Sequence, residues 1–110
     1  MTDCLFCRIV AGEIPATVVA RGPGMLAFED IAPRADTHVL VVPERHLHTL
    51  RDVGELDSEE SKAMLDFVAE TAASLGLDDY RVIVNVGPGG GQTVFHLHWH
   101  ILGGELPPFG

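Results

Sequence analysis

The stretch His96-Leu97-His98-Trp99-His100-Ile101-Leu102 decides how this chain is read. Three of the six histidines fall within five residues, each separated from the next by one apolar residue. In a β-strand successive side chains point to opposite faces, so His96, His98 and His100 share one face. Leu97, Trp99 and Ile101 then anchor the other face in a core. The bland reading is a strand with histidines on a polar, solvated face. The sharper one is an active-site wall, because imidazole serves as nucleophile, proton carrier or metal ligand.

The flanking sequence supplies a scaffold for that strand. Residues 16–20 and 25–29 flank Arg21-Gly22-Pro23-Gly24 and predict a hairpin with a Gly/Pro turn. Thr37 to Val42 is a β-branched strand stopped by Pro43. Asp57 followed by Glu60 predicts a capping box. Met64, Leu65, Phe67, Val68, Ala72 and Leu75 then recur at helical spacing, and Gly76 closes the helix. That helix is scaffold, with its acidic residues on the wet side. Tyr80 to Val86 predicts another strand, Gly87 to Gly91 a loop, and Phe95 to Leu102 the histidine strand. Strands, one long helix, then strands argue for an α+β fold with a mainly antiparallel sheet.

Composition narrows the function classes. A chain of 110 residues, 46% hydrophobic, predicts a single domain over 1–110 with a real core. Seven basic against 16 acidic residues give a formal net charge of −9, which argues against nucleic-acid and acidic-membrane partners. A small phosphate-bearing ligand stays compatible, because local backbone N–H groups and imidazoles can hold one phosphate. No apolar run approaches the roughly 18 residues of a membrane helix. The opening Met1-Thr2-Asp3-Cys4 lacks a signal-peptide pattern and reads as a cytoplasmic start. The two cysteines, Cys4 and Cys7, form a CxxC that is a metal half-site, a redox pair or two small core residues. A redox role is the weakest of these, since no helix start follows the pair. His48 reads as a surface residue. The glycine run is not a P-loop, since no Gly-Lys-Ser/Thr follows it.

These residues resemble a known family. His96 to Leu102 fits the histidine-triad pattern, His-φ-His-φ-His-φ-φ with φ apolar, at all seven positions. Cys4 to Val10 with Glu13-Ile14-Pro15-Ala16 resembles the family's opening. Ala27 to Pro33 with Thr37 to Val41 resembles its central block. Asn85 and Gly90-Gly91-Gln92-Thr93-Val94 resemble the segment that leads into the triad. The resemblance spans essentially the whole chain and is greatest to the histidine triad nucleotide-binding branch.

The resemblance implies a HIT-like fold whose sheet continues across a homodimer. It implies a purine nucleoside phosphoramidase that cleaves the P–N bond of adenosine phosphoramidates and releases AMP. His98 would be the nucleophile through a nucleotidyl-histidine, with neighbouring imidazoles keeping it unprotonated. His100 would bind a phosphate oxygen or help protonate the leaving group, and His38 would support His98. Asn85, Gln92 and Thr93 would hydrogen-bond the phosphate and leaving group, beside the backbone of Gly90, Gly91 and Val94. Asp30 would bind the ribose, with Phe28 and Ile31 as walls around the base. Cys4, Cys7, His46 and His96 would hold a structural zinc, with no catalytic metal required. The tail from Gly103 to Gly110 would reach a partner's site, with Phe109 near where relatives carry Trp. Dinucleoside polyphosphate hydrolysis, or nucleotide-dependent regulation with incidental catalysis, are the rival functions.

Overall fold

Alternating apolar residues give this sheet two different faces. In the computed structural model, which describes residues 3–108, nine short elements follow one another: α1 (Leu5–Val10), β1 (Val18–Gly22), β2 (Met25–Glu29), β3 (Thr37–Pro43), a 3₁₀ turn (Leu50–Glu55), α2 (Ser58–Ser74), β4 (Arg81–Ile83), a second 3₁₀ turn (Pro88–Gly90) and β5 (Trp99–Gly103). Among the described residues the strands form one antiparallel sheet in the order β1-β2-β3-β5-β4. The α+β expectation holds. Phe109 and the end of the tail lie outside the described residues.

Met25 and Ala27 of β2, Val39 and Val41 of β3, and Ile101 of β5 face α2. There they pack with Met64, Phe67, Val68 and Ala72. The intervening residues Leu26, Phe28, Leu40 and Val42 face the other way and pack with Phe6 of α1. A period of two thus sends one residue set under the long helix and leaves the other face only partly covered. His100 sits opposite Leu40 in the β3–β5 register, and His38 opposite Leu102. Both histidines therefore lie on the face away from α2.

α2 is capped as its sequence predicts. Asp57 Oδ1 accepts from the Glu60 N–H at 2.8 Å, and Glu60 Oε1 accepts from the Asp57 N–H at 3.1 Å. Gly76 takes φ +76° just beyond the helix. Leu65 departs from expectation: it points to solvent. The first hairpin is tighter than predicted, because β1 continues through Arg21 and Gly22 and leaves Pro23-Gly24 as the turn. Gly24 has φ +73°, a conformation that favours glycine.

Two strands are shorter than predicted, for one shared reason. β5 begins only at Trp99, and residues 95–98 are irregular. The Leu97 N–H leaves the sheet to donate to the Leu47 carbonyl at 2.7 Å. β4 then ends at Ile83, paired with His100, shortly before its partner strand gives out. The inside–outside alternation still survives: Leu97 joins the α2-side core, while His96 and His98 pack against Phe6. Trp99 packs partly buried on the α2 side, with its indole Nε1 enclosed and without a hydrogen-bond partner.

A short helix, not predicted, starts between the two cysteines and includes Cys7. Cys4 is the N-cap of α1, and its Sγ accepts from the Cys7 N–H at 3.2 Å. The 3₁₀ turn at Leu50–Glu55 was also not predicted; Thr49 and Asp52 close a second capping box over it.

Candidate active site and metal centre

The face away from α2 opens into a cleft of about 380 Å³. Its apolar lining comes from Leu5, Phe6 and Ile9 of α1 together with Phe28, Ile31 and Leu40, and its polar lining includes Asn85, Thr93, His98 and His100, with Gly91 and Val94 beside them. A hollow of about 480 Å³ between the β1–β2 turn and the start of α2 is of comparable size but contains no histidine or cysteine. Chemistry rather than size therefore selects the first cleft.

Backbone groups fix the tautomers of the histidines. His98 Nδ1 lies 2.7 Å from the His96 carbonyl oxygen. A carbonyl only accepts, so Nδ1 carries the proton and Nε2 keeps its lone pair. The Arg34 N–H donates to His38 Nδ1 at 3.1 Å, which puts the His38 proton on Nε2. That Nε2–H donates to His100 Nδ1 at 2.9 Å, leaving the His100 proton on Nε2. Asp30 Oδ2 stands 3.5 Å from His38 Nε2, while its Oδ1 accepts from the Ala32 N–H at 2.8 Å. The site thus presents one bare imidazole nitrogen, on His98, and one N–H donor, on His100.

These rings are held neutral. Burial lowers the pKa of His98, against the raising effects of the His96 carbonyl bond and the Asp30 charge. Burial is also the largest cause for His38. His100 is lowered to about 4, first by burial and then by the charges of His98 and His38. Burial is thus the main cause for His98, and the imidazole neighbours His98 and His38 add to burial in lowering His100.

The other expected site residues divide into two groups. Phe28, Asp30, Ile31, Asn85, Gly91, Thr93, Val94, His98 and His100 all line the cleft. Gln92 and Gly90 do not. Gln92 is buried: its Oε1 accepts from the Gly87 N–H, and its Nε2 donates to the carbonyls of His48 and Val94. Every polar atom of that amide is engaged with backbone, so Gln92 braces the glycine segment. Asn85 Nδ2 donates to the Gly90 carbonyl at 2.9 Å. Gly91 has φ +90°, and a Cβ there would press on that amide at 3.4 Å. His48 is exposed, as expected, with its ring stacked on Phe95 at 5.0 Å.

Sequence reasoning missed the α1 wall and Arg34. The signal for α1 was present, since Leu5 and Ile9, like Phe6 and Val10, stand one helical turn apart. Arg34 carried no motif. Among the described residues of the cleft it is the only Lys or Arg, and its main chain sets the His38 tautomer.

Behind His98, Cys4, Cys7, His46 and His96 place their ligand atoms within 4.8 Å of one another, close enough to hold a metal ion. His96 Nδ1 lies 3.3 Å from Cys4 Sγ, 3.4 Å from Cys7 Sγ and 3.2 Å from His46 Nδ1. Cys7 Sγ to His46 Nδ1 is 3.3 Å. A tetrahedron with Zn–S of about 2.3 Å and Zn–N of about 2.0 Å has S–N edges near 3.5 Å and N–N edges near 3.3 Å. The donor set and its spacing fit zinc. His96 Nε2–H donates to the Pro43 carbonyl at 2.7 Å, so its bare Nδ1 faces the cluster, as a metal-binding histidine requires.

Comparison with known proteins agrees with this geometry. The HIT domain family model matches residues 11–106. The chain is 41% identical over 104 residues to Protein HitA of Neisseria gonorrhoeae, covering 94% of this chain and 97% of that protein. It is 36% identical over 105 residues to the purine nucleoside phosphoramidase of Escherichia coli strain K12, covering 94% and 88%. A histidine triad protein from Clostridium difficile superposes with a TM-score of 0.90 at 41% identity, covering 100% of this chain and 98% of that one. A HIT family hydrolase from Legionella pneumophila Philadelphia 1 gives 0.88 at 47% identity, covering 94% and 95%.

Proposed function

The chain belongs to the HIT domain family, and from that premise we propose that it hydrolyses purine nucleoside phosphoramidates through a covalent nucleotidyl-His98. The observation that carries the proposal is the 2.7 Å bond from His98 Nδ1 to the His96 carbonyl, which leaves Nε2 as the bare nucleophile of the cleft. The likeness to a purine nucleoside phosphoramidase supports the choice of the P–N bond.

In this reading the base lies between Phe28 and Ile31, and Asp30 accepts from the ribose hydroxyls. His98 Nε2 attacks the α-phosphorus; the Nε2–P bond forms as the P–N bond breaks. The His96 carbonyl stabilises the positive charge that this puts on the ring. The neutral His100 donates its Nε2–H to a phosphate oxygen, held in place by the His38 and Arg34 relay. A ring with a pKa near 4 is a hydrogen-bond donor at neutral pH and no reservoir of protons. One water supplies both halves of the hydrolysis. Its proton reaches the departing amine through the Thr93 hydroxyl, and its hydroxide then attacks phosphorus, breaks the Nε2–P bond and releases AMP.

Cys4, Cys7, His46 and His96 would hold zinc, which as a closed four-ligand ion cross-links the N-terminal helix to the triad segment. A cytoplasmic setting, which keeps thiols reduced, belongs to the same reading. So does a homodimer. β4 is a sheet edge on which Val82 is exposed, beside an exposed Tyr80, and sedimentation equilibrium decides whether a second copy covers it.

The functional test follows AMP release from an adenosine phosphoramidate and, separately, from a diadenosine polyphosphate. Faster turnover of the phosphoramidate is expected; an untouched phosphoramidate ends the proposal. The pH profile gives a second check. Both His98 and His100 act neutral, and both hold pKa values below the ordinary 6.5. Protonation switches the site off only as pH falls toward the lowered values. Activity stays level above pH 7 and falls with a midpoint below 6.5, whereas a decline already centred near 6.5 is that of ordinary imidazoles.

A further inference from the structure

The nucleophile and the thiol–imidazole cluster meet in a single residue. The ring of His96 points its Nδ1 at Cys4, Cys7 and His46. The main-chain carbonyl of the same residue holds the His98 Nδ1–H. A second strut runs through α1, which begins at Cys4 and carries Cys7. Between the two cysteines, Phe6 sets its ring edge-on to His98, with centroids 5.0 Å apart and planes at 88°. Phe6 also meets the His96 ring at 6.1 Å. Leu5, Phe6 and Ile9 of this helix form the wall of the nucleotide cleft.

α1 has only six residues. A helix this short has no stability of its own, because nucleation costs more than so few bonds return. Its position has to be imposed by its contacts. Cys4 and Cys7 are joined in sequence to the cleft wall and in space to His96, 92 and 89 residues away.

We propose that a metal ion held by Cys4, Cys7, His46 and His96 is a positioning element for the reaction, fixing both the carbonyl that sets the His98 tautomer and the α1 wall that receives the nucleotide. This rests on His98 as the attacking group, but not on which phosphorus bond is cleaved. His96 is thus a positioning residue that acts through its carbonyl, and α1 transmits the same constraint to the binding wall. The four ligands and Phe6 are not themselves part of the α2-side core, which meets this route only at Leu97, next to His96 in the chain.

The test uses the whole chain labelled with ¹⁵N-histidine. Zinc is removed with a chelator and restored, and each form is measured for zinc content, for the exchange-protected Nδ1–H resonance of His98, and for affinity toward AMP. With one zinc per chain the resonance is single and sharp. Without zinc it broadens or disappears and AMP binding weakens by roughly tenfold, while the methyl signals of Met64 and Ile101 in the α2-side core keep their positions. Restoring zinc reverses both changes. Cys7→Ser behaves like the zinc-free protein and is not rescued; His46→Ala, which removes an exposed ligand, does the same if the serine variant fails to fold. Wild-type protein that takes up no zinc overturns the proposal. So does a His98 resonance and an AMP affinity that ignore zinc. Simultaneous loss of the core methyl signals overturns it too, because the ion is then a staple of the whole fold. Since none of these readouts requires turnover, a failure to cleave phosphoramidates leaves this result separately readable.

Discussion

Replacing His98 with alanine lowers AMP release from an adenosine phosphoramidate by at least about a thousandfold, with AMP binding largely kept. The expectation follows from the division of labour in the cleft. Phe28, Ile31 and Asp30, which line the cleft and are proposed to take the nucleoside, are untouched by the change. His100 keeps its partner His38, and His38 keeps the Arg34 amide. What disappears is the bare Nε2, and no other imidazole in the cleft offers an unprotonated nitrogen, because the His100 Nδ1 is engaged by His38. Activity close to wild type in this variant would mean that water attacks phosphorus directly. Single-turnover kinetics with a binding measurement separate the loss of chemistry from any loss of affinity.

The second large effect concerns stability. Ile101 is fully enclosed, pairs with Val39 on one side and Val82 on the other, and belongs to the core beneath α2. Ile101→Ala leaves a cavity that this packed layer cannot close, at a cost of about 2–5 kcal/mol. For a domain whose total stability is of the order of 5–15 kcal/mol, that is a large fraction. Thermal melting falls by roughly 10–20 °C. Leu65→Ala on the same core-facing helix costs less than about 1 kcal/mol, since Leu65 is exposed. Equal losses for the two variants would contradict the assignment of faces. Because β5 also carries His100, the melting experiment is read at a temperature where both variants are folded before activity is compared.

The faces of the sheet were legible because period-two alternation is a local property. Leu97 and Ile101 inside, with His98 and His100 opposite, follow from spacing alone, even though residues 95–98 form no strand. The strand limits were not legible, because they depend on a distant partner: Leu97 leaves the sheet for the Leu47 carbonyl, and β4 ends soon after for want of a neighbour. Gln92 shows the same limit at the site. Its place beside Thr93 suggested a phosphate contact, but three backbone groups on Gly87, His48 and Val94 capture the amide. The Cys4–Cys7 pair alone left several readings open; the family resemblance added His46 and His96, and the fold brings all four together. The particular groups that set the tautomers, the carbonyls of His96 and Pro43 and the amide of Arg34, come from the fold and not from local spacing.

The most direct test of the covalent pathway is the stereochemical course at phosphorus. An adenosine phosphoramidate made chiral at the α-phosphorus with sulfur is hydrolysed in ¹⁸O-labelled water, and the configuration of the product thiophosphate is determined. Attack by His98 followed by attack of water inverts phosphorus twice, so the account predicts net retention. Net inversion would show a single displacement by water and would contradict it.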